Sequence, residues 1–175
     1  MQIYDLNQAY YLWEDIQEII DRIGSLYTIE KVNNKRFIKS ASEVLGKPSM
    51  VSKENEIAFN KLIPKLKSLH KDMYSLMEAI TKYKNDGEFN INDLASKYNN
   101  FDEFRHLNNK FKHFDTKGIA ITLTSLVMME SNKSIIDAYC NFKKPDDSFS
   151  TIRYPEFIET FLVFLNDYDL IRFTD

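Results

Sequence analysis

The stretch FDEFRHLNNKFKHFD, Phe101–Asp115, combines an apolar helical repeat with a dense set of polar and basic groups. Arg105, Asn109 and His113 follow one another at intervals of four, so on a helix they form one column. At about 100° per residue, the large apolar side chains fall on roughly the opposite side, which we expect to be buried. These apolar residues are Phe104, Leu107, Phe111 and Phe114. The stretch therefore predicts an amphipathic helix with a guanidinium, an amide and an imidazole aligned outside the core.

Arg105, Asn109 and His113 are residue types that serve phosphate chemistry on RNA. A guanidinium donates paired hydrogen bonds to a phosphate and stabilises charge that develops on it. An imidazole titrates near neutrality and can move a proton from a ribose hydroxyl or to a leaving oxygen. An amide can orient a phosphate or a base, and this chemistry needs no metal. The three residues form the candidate catalytic set, with an ordinary solvated helix face as the alternative interpretation.

The segment Asn108–His113, NNKFKH, resembles the signature of the HEPN superfamily. This superfamily comprises helical domains of prokaryotic toxins, defence proteins and CRISPR-associated ribonucleases, and its signature is an Arg, then a polar residue, then a His further along the helix. Asn109 matches the polar position and His113 matches the His, whereas Asn108 occupies the position of the Arg. Arg105 is a candidate substitute for the missing guanidinium, although it lies outside the family spacing.

The resemblance implies a helical bundle whose site forms where two copies pair, and metal-independent endoribonuclease activity in active members. Because an amide cannot replace a guanidinium as a charged phosphate clamp, we expect an RNA- or partner-binding regulatory member rather than an active nuclease. The expected setting is RNA-directed, toxin or phage-defence biology, with a homodimer as the assembly. The competing class is a helical protein–protein interaction module without a nucleic-acid role. The expected RNA contacts are Asn108, Lys110 and Lys112.

Length and composition indicate one domain over residues 1–175. The chain has 43% hydrophobic and 14% aromatic residues with four Gly and four Pro, so it can bury a core and favours long elements. Its net charge of −3 argues against a broadly basic surface but is compatible with a local basic site. The single Cys140 fits a reducing, cytoplasmic compartment, and no signal peptide or membrane span is expected.

Apolar residues at spacings of three and four predict the first helices. The first spans residues 4–30, a shorter one spans 34–45, and a long one spans 53–84 with a kink or a fresh start at Pro64. The first helix has an acidic row and the third a basic row, and both rows are interpreted as solvated faces. The acidic row is Glu14, Asp15, Glu18 and Asp21, and the basic row is Lys61, Lys65, Lys67 and Lys71.

Capping and stop signals delimit the remaining helices. The sequence Asn85-Asp86-Gly87 ends the long helix, and Asn92 is expected to cap a short helix over 93–98. Pro155 suits the first turn of a last helix over residues 155–167.

Residues 119–129 and 135–142 alternate in polarity with a period of two, which is typical of strands. Because Glu130–Lys133 between them resembles a turn, we expect a β-hairpin, with two helices as the alternative. Cys140 falls on the apolar side of its strand, so we expect a small core residue rather than a nucleophile. The expected fold class is therefore mainly α, a helical bundle with a small β-hairpin in the C-terminal third.

The sequence contains no pattern of metal ligands. His106 and His113 would lie about 10 Å apart along a helix axis, too far to bind one zinc ion directly. His70 has no Cys or carboxylate ligand set beside it. We therefore expect neither a metal nor another cofactor.

Overall fold

The computed structural model describes residues 6–26, 28–32, 35–39, 53–112, 123–130, 133–143 and 148–171. The surroundings of side chains are described for residues 14–26, 64–112, 140 and 148–171. Within these ranges the chain is mainly α-helical, as the sequence predicts.

Five helices and two small antiparallel sheets make up the described part of the chain. Strands β1 and β2 form a hairpin, and β3, β4 and β5 form a second sheet in that order. The described elements are α1 (Leu6–Leu26), β1 (Thr28–Val32), β2 (Lys35–Lys39), α2 (Lys53–Lys84), α3 (Ile91–Lys97), α4 (Phe101–Lys112), β3 (Leu123–Glu130), β4 (Lys133–Lys143), β5 (Phe149–Arg153) and α5 (Tyr154–Asp167).

The first helix is shorter than the apolar spacing predicts. It ends at Leu26, and residues 28–30, which were expected to continue it, lie in β1. The β-branched side chains of Thr28, Ile29 and Val32 favour a strand at this point. Among its described side chains the buried ones include Ile16, Ile19, Ile23 and Leu26, which repeat at the spacings of three and four that predicted the helix.

The expected helix over residues 34–45 is wrong where the structure describes it. Lys35–Lys39 form β2, which pairs with β1 so that Ile29 lies opposite Ile38. The partner strand supplies backbone hydrogen bonds, and a helical spacing of side chains does not reveal such a partner. Residues 40–45 lie outside the described part of the chain.

The long helix α2 continues through Pro64, where a kink or a fresh start was expected. An internal proline costs about 3 kcal/mol, and packing of the long apolar row offsets that cost. The helix ends at Lys84, as the sequence after it predicts. Asp86 and Gly87 then adopt left-handed φ values of 53° and 94°, a conformation that favours glycine at the second position.

The caps of the later helices are close to their predicted places. Asn90 rather than Asn92 caps α3, because the Asn90 side-chain oxygen accepts a hydrogen bond from the N–H of Asn92 at 3.0 Å. The last helix is confirmed with one residue more at its start, and Pro155 lies in its first turn.

The expected C-terminal hairpin is confirmed, although Glu130 and Lys133, predicted in the turn, are strand residues and residues 119–122 lie outside the described part of the chain. Strands β3 and β4 pair antiparallel, from Glu130 opposite Lys133 to Leu123 opposite Cys140. A third strand, β5, was not predicted, and it places Ile152 opposite Cys140. Cys140 is buried, and burial raises the pKa of its thiol to about 12, which is consistent with the expected core role.

The interior forms where α2, α4 and α5 meet, and α1 packs on α2. Aromatic rings dominate this junction, with Phe104 and Phe157 edge to face at 5.6 Å between centroids. Helix α5 also contacts strands of both sheets. In the part of the chain that the structure describes, no helix has the length and apolarity needed to cross a bilayer.

Candidate functional site

Helix α4 buries the side that the sequence predicts. Phe104 and Leu107 are fully buried, Phe101 joins them, and Phe111 packs against the core while partly exposed. Phe114 lies outside the described residues. The rotation of α4 is thereby fixed, and Arg105 and Asn109 lie towards the rim and the outside of the helix.

Arg105 lies at the rim of the core with its side chain 25% exposed. Its Nη2 is 3.5 Å from the Asp102 carboxylate and 3.3 Å from Nε2 of His106. Partial burial, reinforced by the charge of Arg105, lowers the pKa of His106, although Asp102 and Glu103 oppose that shift. A neutral His106 can accept the hydrogen bond from the guanidinium. Arg105 Nε is buried without a hydrogen-bond partner among the described residues.

Asn108, which aligns with the Arg of the HEPN signature, lies inside the core. Its side chain is fully buried, and neither its amide nitrogen nor its oxygen has a hydrogen-bond partner among the described residues. In this arrangement the amide has no access to an RNA at the surface. The apolar spacing contained the signal for this burial, because Asn108 is four residues after Phe104 and three before Phe111.

The other predicted site residues that the structure describes lie on two different sides of α4. Asn109 is half-buried one turn after Arg105, and the ammonium of Lys112 lies 5.9 Å from the ring centroid of Tyr74 in α2. Lys110 is about 140° around the helix from Arg105, so it lies outside that row. His113 lies outside the described residues. The structure thus brings Arg105 and Lys112 to the α2 side and leaves Lys110 apart, while Asn109 follows Arg105 one turn along α4.

Helix α2 adds basic residues that were interpreted from sequence as a solvated face. The ammonium of Lys67 lies 5.6 Å from the ring centroid of Phe111, and Lys71 follows one turn later, exposed. Tyr74 comes next along this side, and Arg105 is close enough to lower its pKa against the larger raising effects of burial and Glu78. We call Lys67, Lys71, Arg105 and Lys112 the basic face.

His70 lies beneath the basic face and is fully buried. Its Nε2–H donates to the backbone oxygen of Phe104 at 2.9 Å, because a carbonyl oxygen can only accept. Burial lowers the pKa of His70 to about 3, despite an opposing contribution from this hydrogen bond. The signal for the burial of His70 lies in the sequence, because His70 continues the apolar spacing from Leu66 to Met73.

Helix α1, which packs on α2, carries the acidic row predicted from its sequence. We call the exposed residues Glu14, Asp15, Glu18 and Asp21 the acidic face. Arg22 lies beside them, but Asp72 of α2 neutralises it at 2.7 Å. A crevice of about 470 Å³ between α1 and α2 is lined by Asp15, Glu18 and Asp72, among others.

No family model, curated protein or solved structure matches this chain.

Proposed function

We propose that this chain is a divergent, HEPN-like RNA-binding module that contacts phosphates of single-stranded RNA through the basic face. The observation that carries the proposal is the approach of Lys67 to Phe111, at 5.6 Å. This approach brings the lysine row of α2 next to the basic end of α4, and the two helices together contribute the four cations of the basic face. Residues 64–71 and 104–112 contain no carboxylate, and the nearby Asp102 pairs, among the described residues, with Arg105 alone, so the phosphate backbone is a matching ligand for the lysines.

Binding without cleavage agrees best with the position of Asn108. The residue aligned with the catalytic Arg lies in the core, whereas a phosphate clamp must reach the scissile group from the surface. Arg105 is nearer the surface, but it forms an ion pair with Asp102, which offsets part of its charge. The setting we propose is RNA-directed regulation, toxin control or phage defence in the cytoplasm, with the chain acting as a homodimer.

Fluorescence anisotropy with a short labelled RNA that lacks secondary structure tests this proposal at several salt concentrations. Four phosphate contacts predict that log K falls with log salt with a slope of about −3. The double variant Lys67→Gln/Lys71→Gln removes two of these contacts, so the slope should become shallower by about 1.4. Lys84→Gln/Lys97→Gln makes the same change in net charge outside the face and should keep the wild-type slope.

If the slope of log K against log salt is the same for the two double variants, the basic face is not the binding site. Absence of binding by the wild type at low salt would overturn the RNA-binding function itself. The same RNA, incubated with the protein and a metal chelator, tests the alternative of a metal-independent endoribonuclease. Cleavage that disappears in His113→Ala would replace our proposal with that alternative.

A second candidate function is a helical protein–protein interaction module. The acidic face and the adjoining crevice between α1 and α2 favour it, because four exposed carboxylates complement a basic partner. Two results together would support this second function. The wild type would fail to bind RNA, and it would bind a defined Lys-rich helical peptide with an affinity that Glu14→Gln/Asp15→Gln lowers.

A further inference from the structure

His70 occupies the point where α2, α4 and α5 meet. Its ring stacks on Phe104 at 4.2 Å between centroids. Phe111 and Phe157 approach it edge to face, each at 5.4 Å, and Tyr154 lies at 5.8 Å in a tilted orientation. The imidazole is therefore surrounded by aromatic side chains of two other helices.

The bond from His70 to Phe104 is directional, whereas the surrounding aromatic contacts are not. Apolar rows on two helices can meet at more than one rotation with similar burial, because hydrophobic contact depends mainly on area. A single buried polar contact can select one alignment, as buried polar residues do in coiled coils. Here the acceptor is the backbone of α4 itself, so the bond constrains both the height and the rotation of that helix at Phe104.

We infer that His70 is a positioning residue, and that its hydrogen bond to the Phe104 carbonyl sets the alignment of α4 on α2 and so assembles the basic face. Arg105 directly follows the bonded residue, and Lys67 is one turn before His70. A rotation of α4 would move Arg105 and Lys112 away from Lys67 and Lys71 together. The RNA part of the test rests on the proposed function, but the alignment part does not.

His70→Leu tests the inference because leucine retains an apolar side chain of similar size and removes the donor. The Phe104 carbonyl keeps the helical N–H of Asn108 as a partner, so no backbone group loses its last hydrogen bond. His70→Gln is the matched variant, since its side-chain amide restores a donor at a similar reach. A thermal unfolding experiment on each variant checks that it folds cooperatively.

Nitroxide labels at Lys71→Cys and Lys112→Cys, with Cys140→Ala removing the native thiol, report the alignment by electron paramagnetic resonance. We expect a single narrow distance distribution in the parent and in His70→Gln. In His70→Leu the distribution should broaden and shift although the melting temperature is maintained. In unlabelled proteins, RNA affinity at low salt should fall by about tenfold in His70→Leu, as expected when two of four cations leave the face.

An unchanged, narrow distribution in a folded His70→Leu variant would overturn the inference. If that variant does not fold, His70→Met replaces it, and a distribution identical to that of His70→Gln would overturn the inference equally. Failure of the parent to bind RNA would remove the proposed function, while the distance measurement would still decide the positioning role.

Discussion

The acidic face and the basic face arise in different ways. The acidic face comes from one stretch of α1, where Glu14, Asp15, Glu18 and Asp21 are all exposed. The basic face comes from two helices separated in sequence, and its halves meet where Lys67 approaches Phe111. The first surface is a property of a local repeat, whereas the second exists only because α4 packs on α2. A change of interior packing should therefore affect the basic face and leave the acidic face intact.

The largest expected effect is a loss of folding stability at acidic pH, because the titrating His70 is buried beneath the basic face. The pKa of His70 is about 3 in the folded chain against an ordinary value of 6.5, so the unfolded chain takes up the proton first as the pH falls. The contribution of neutral His70 to the free energy of unfolding is fully present above pH 6.5 and is lost as the pH falls towards 3. Its size is at most about 5 kcal/mol. Urea unfolding at a series of pH values should show this slope in the wild type.

His70→Leu removes the titrating group and should flatten the pH dependence between about pH 6 and pH 4. His106→Gln is the matched control, since the pKa of His106 is also lowered but its side chain is only partly buried. Identical pH profiles for the wild type and His70→Leu would show that the buried imidazole does not control the acid response.

Charge reversal compares the two faces directly. Lys67→Glu/Lys71→Glu should weaken RNA binding by about a hundredfold at low salt, because two phosphate contacts become repulsive. Glu14→Lys/Asp21→Lys alters net charge by the same amount in the opposite direction and should change affinity by less than about threefold, since the screening length is about 10 Å in 0.1 M salt. Comparable shifts of opposite sign would mean that net charge, rather than the assembled face, governs binding.

Asn108→Leu changes the buried side of α4 without changing its exposed side. The buried amide lacks partners among the described residues, so an apolar replacement should raise the free energy of unfolding by about 1–2 kcal/mol. RNA affinity should be unchanged, because Asn108 is not part of the basic face. Asn109→Leu, half-buried one residue later, should change stability by less than about 0.5 kcal/mol. A destabilised Asn108→Leu variant would indicate that the amide is hydrogen-bonded in solution.

The smallest expected effect concerns the ion pair that joins α1 to α2. Asp72→Asn should cost at most about 1 kcal/mol, because the Arg22 and Asp72 side chains are 29% and 46% exposed and the pair is screened by solvent. RNA binding should not respond. Glu18→Gln is the control, since that carboxylate is 71% exposed at 3.7 Å from Arg22, and chemical denaturation should detect no change. A loss of RNA affinity in Asp72→Asn would show that the two faces are coupled through α2.

Much of the fold could be predicted because its signals are local. The cores of α1, α2 and α5, the end of α2 at Lys84 and the hairpin of β3 and β4 follow from residue spacing and turn chemistry. The expected helix over residues 34–45 is wrong at 35–39, and this error and the missing strand β5 share one cause. Lys35–Lys39 and Phe149–Arg153 are short segments whose backbones are satisfied by neighbouring strands, and no local pattern specifies that pairing.

By itself, the sequence determined a mainly helical chain, an acidic face on α1 and an amphipathic α4 that places Arg105 and Asn109 away from its apolar row. The tertiary structure decided that Asn108 is buried, that Lys67 of α2 lies over Phe111 of α4 and that Lys112 of α4 lies over Tyr74 of α2. Helical periodicity reports which side of an element avoids water, so it reveals surfaces made by one helix. A surface shared by two helices depends on their relative rotation, which packing and the His70 hydrogen bond to Phe104 set at a distance in sequence.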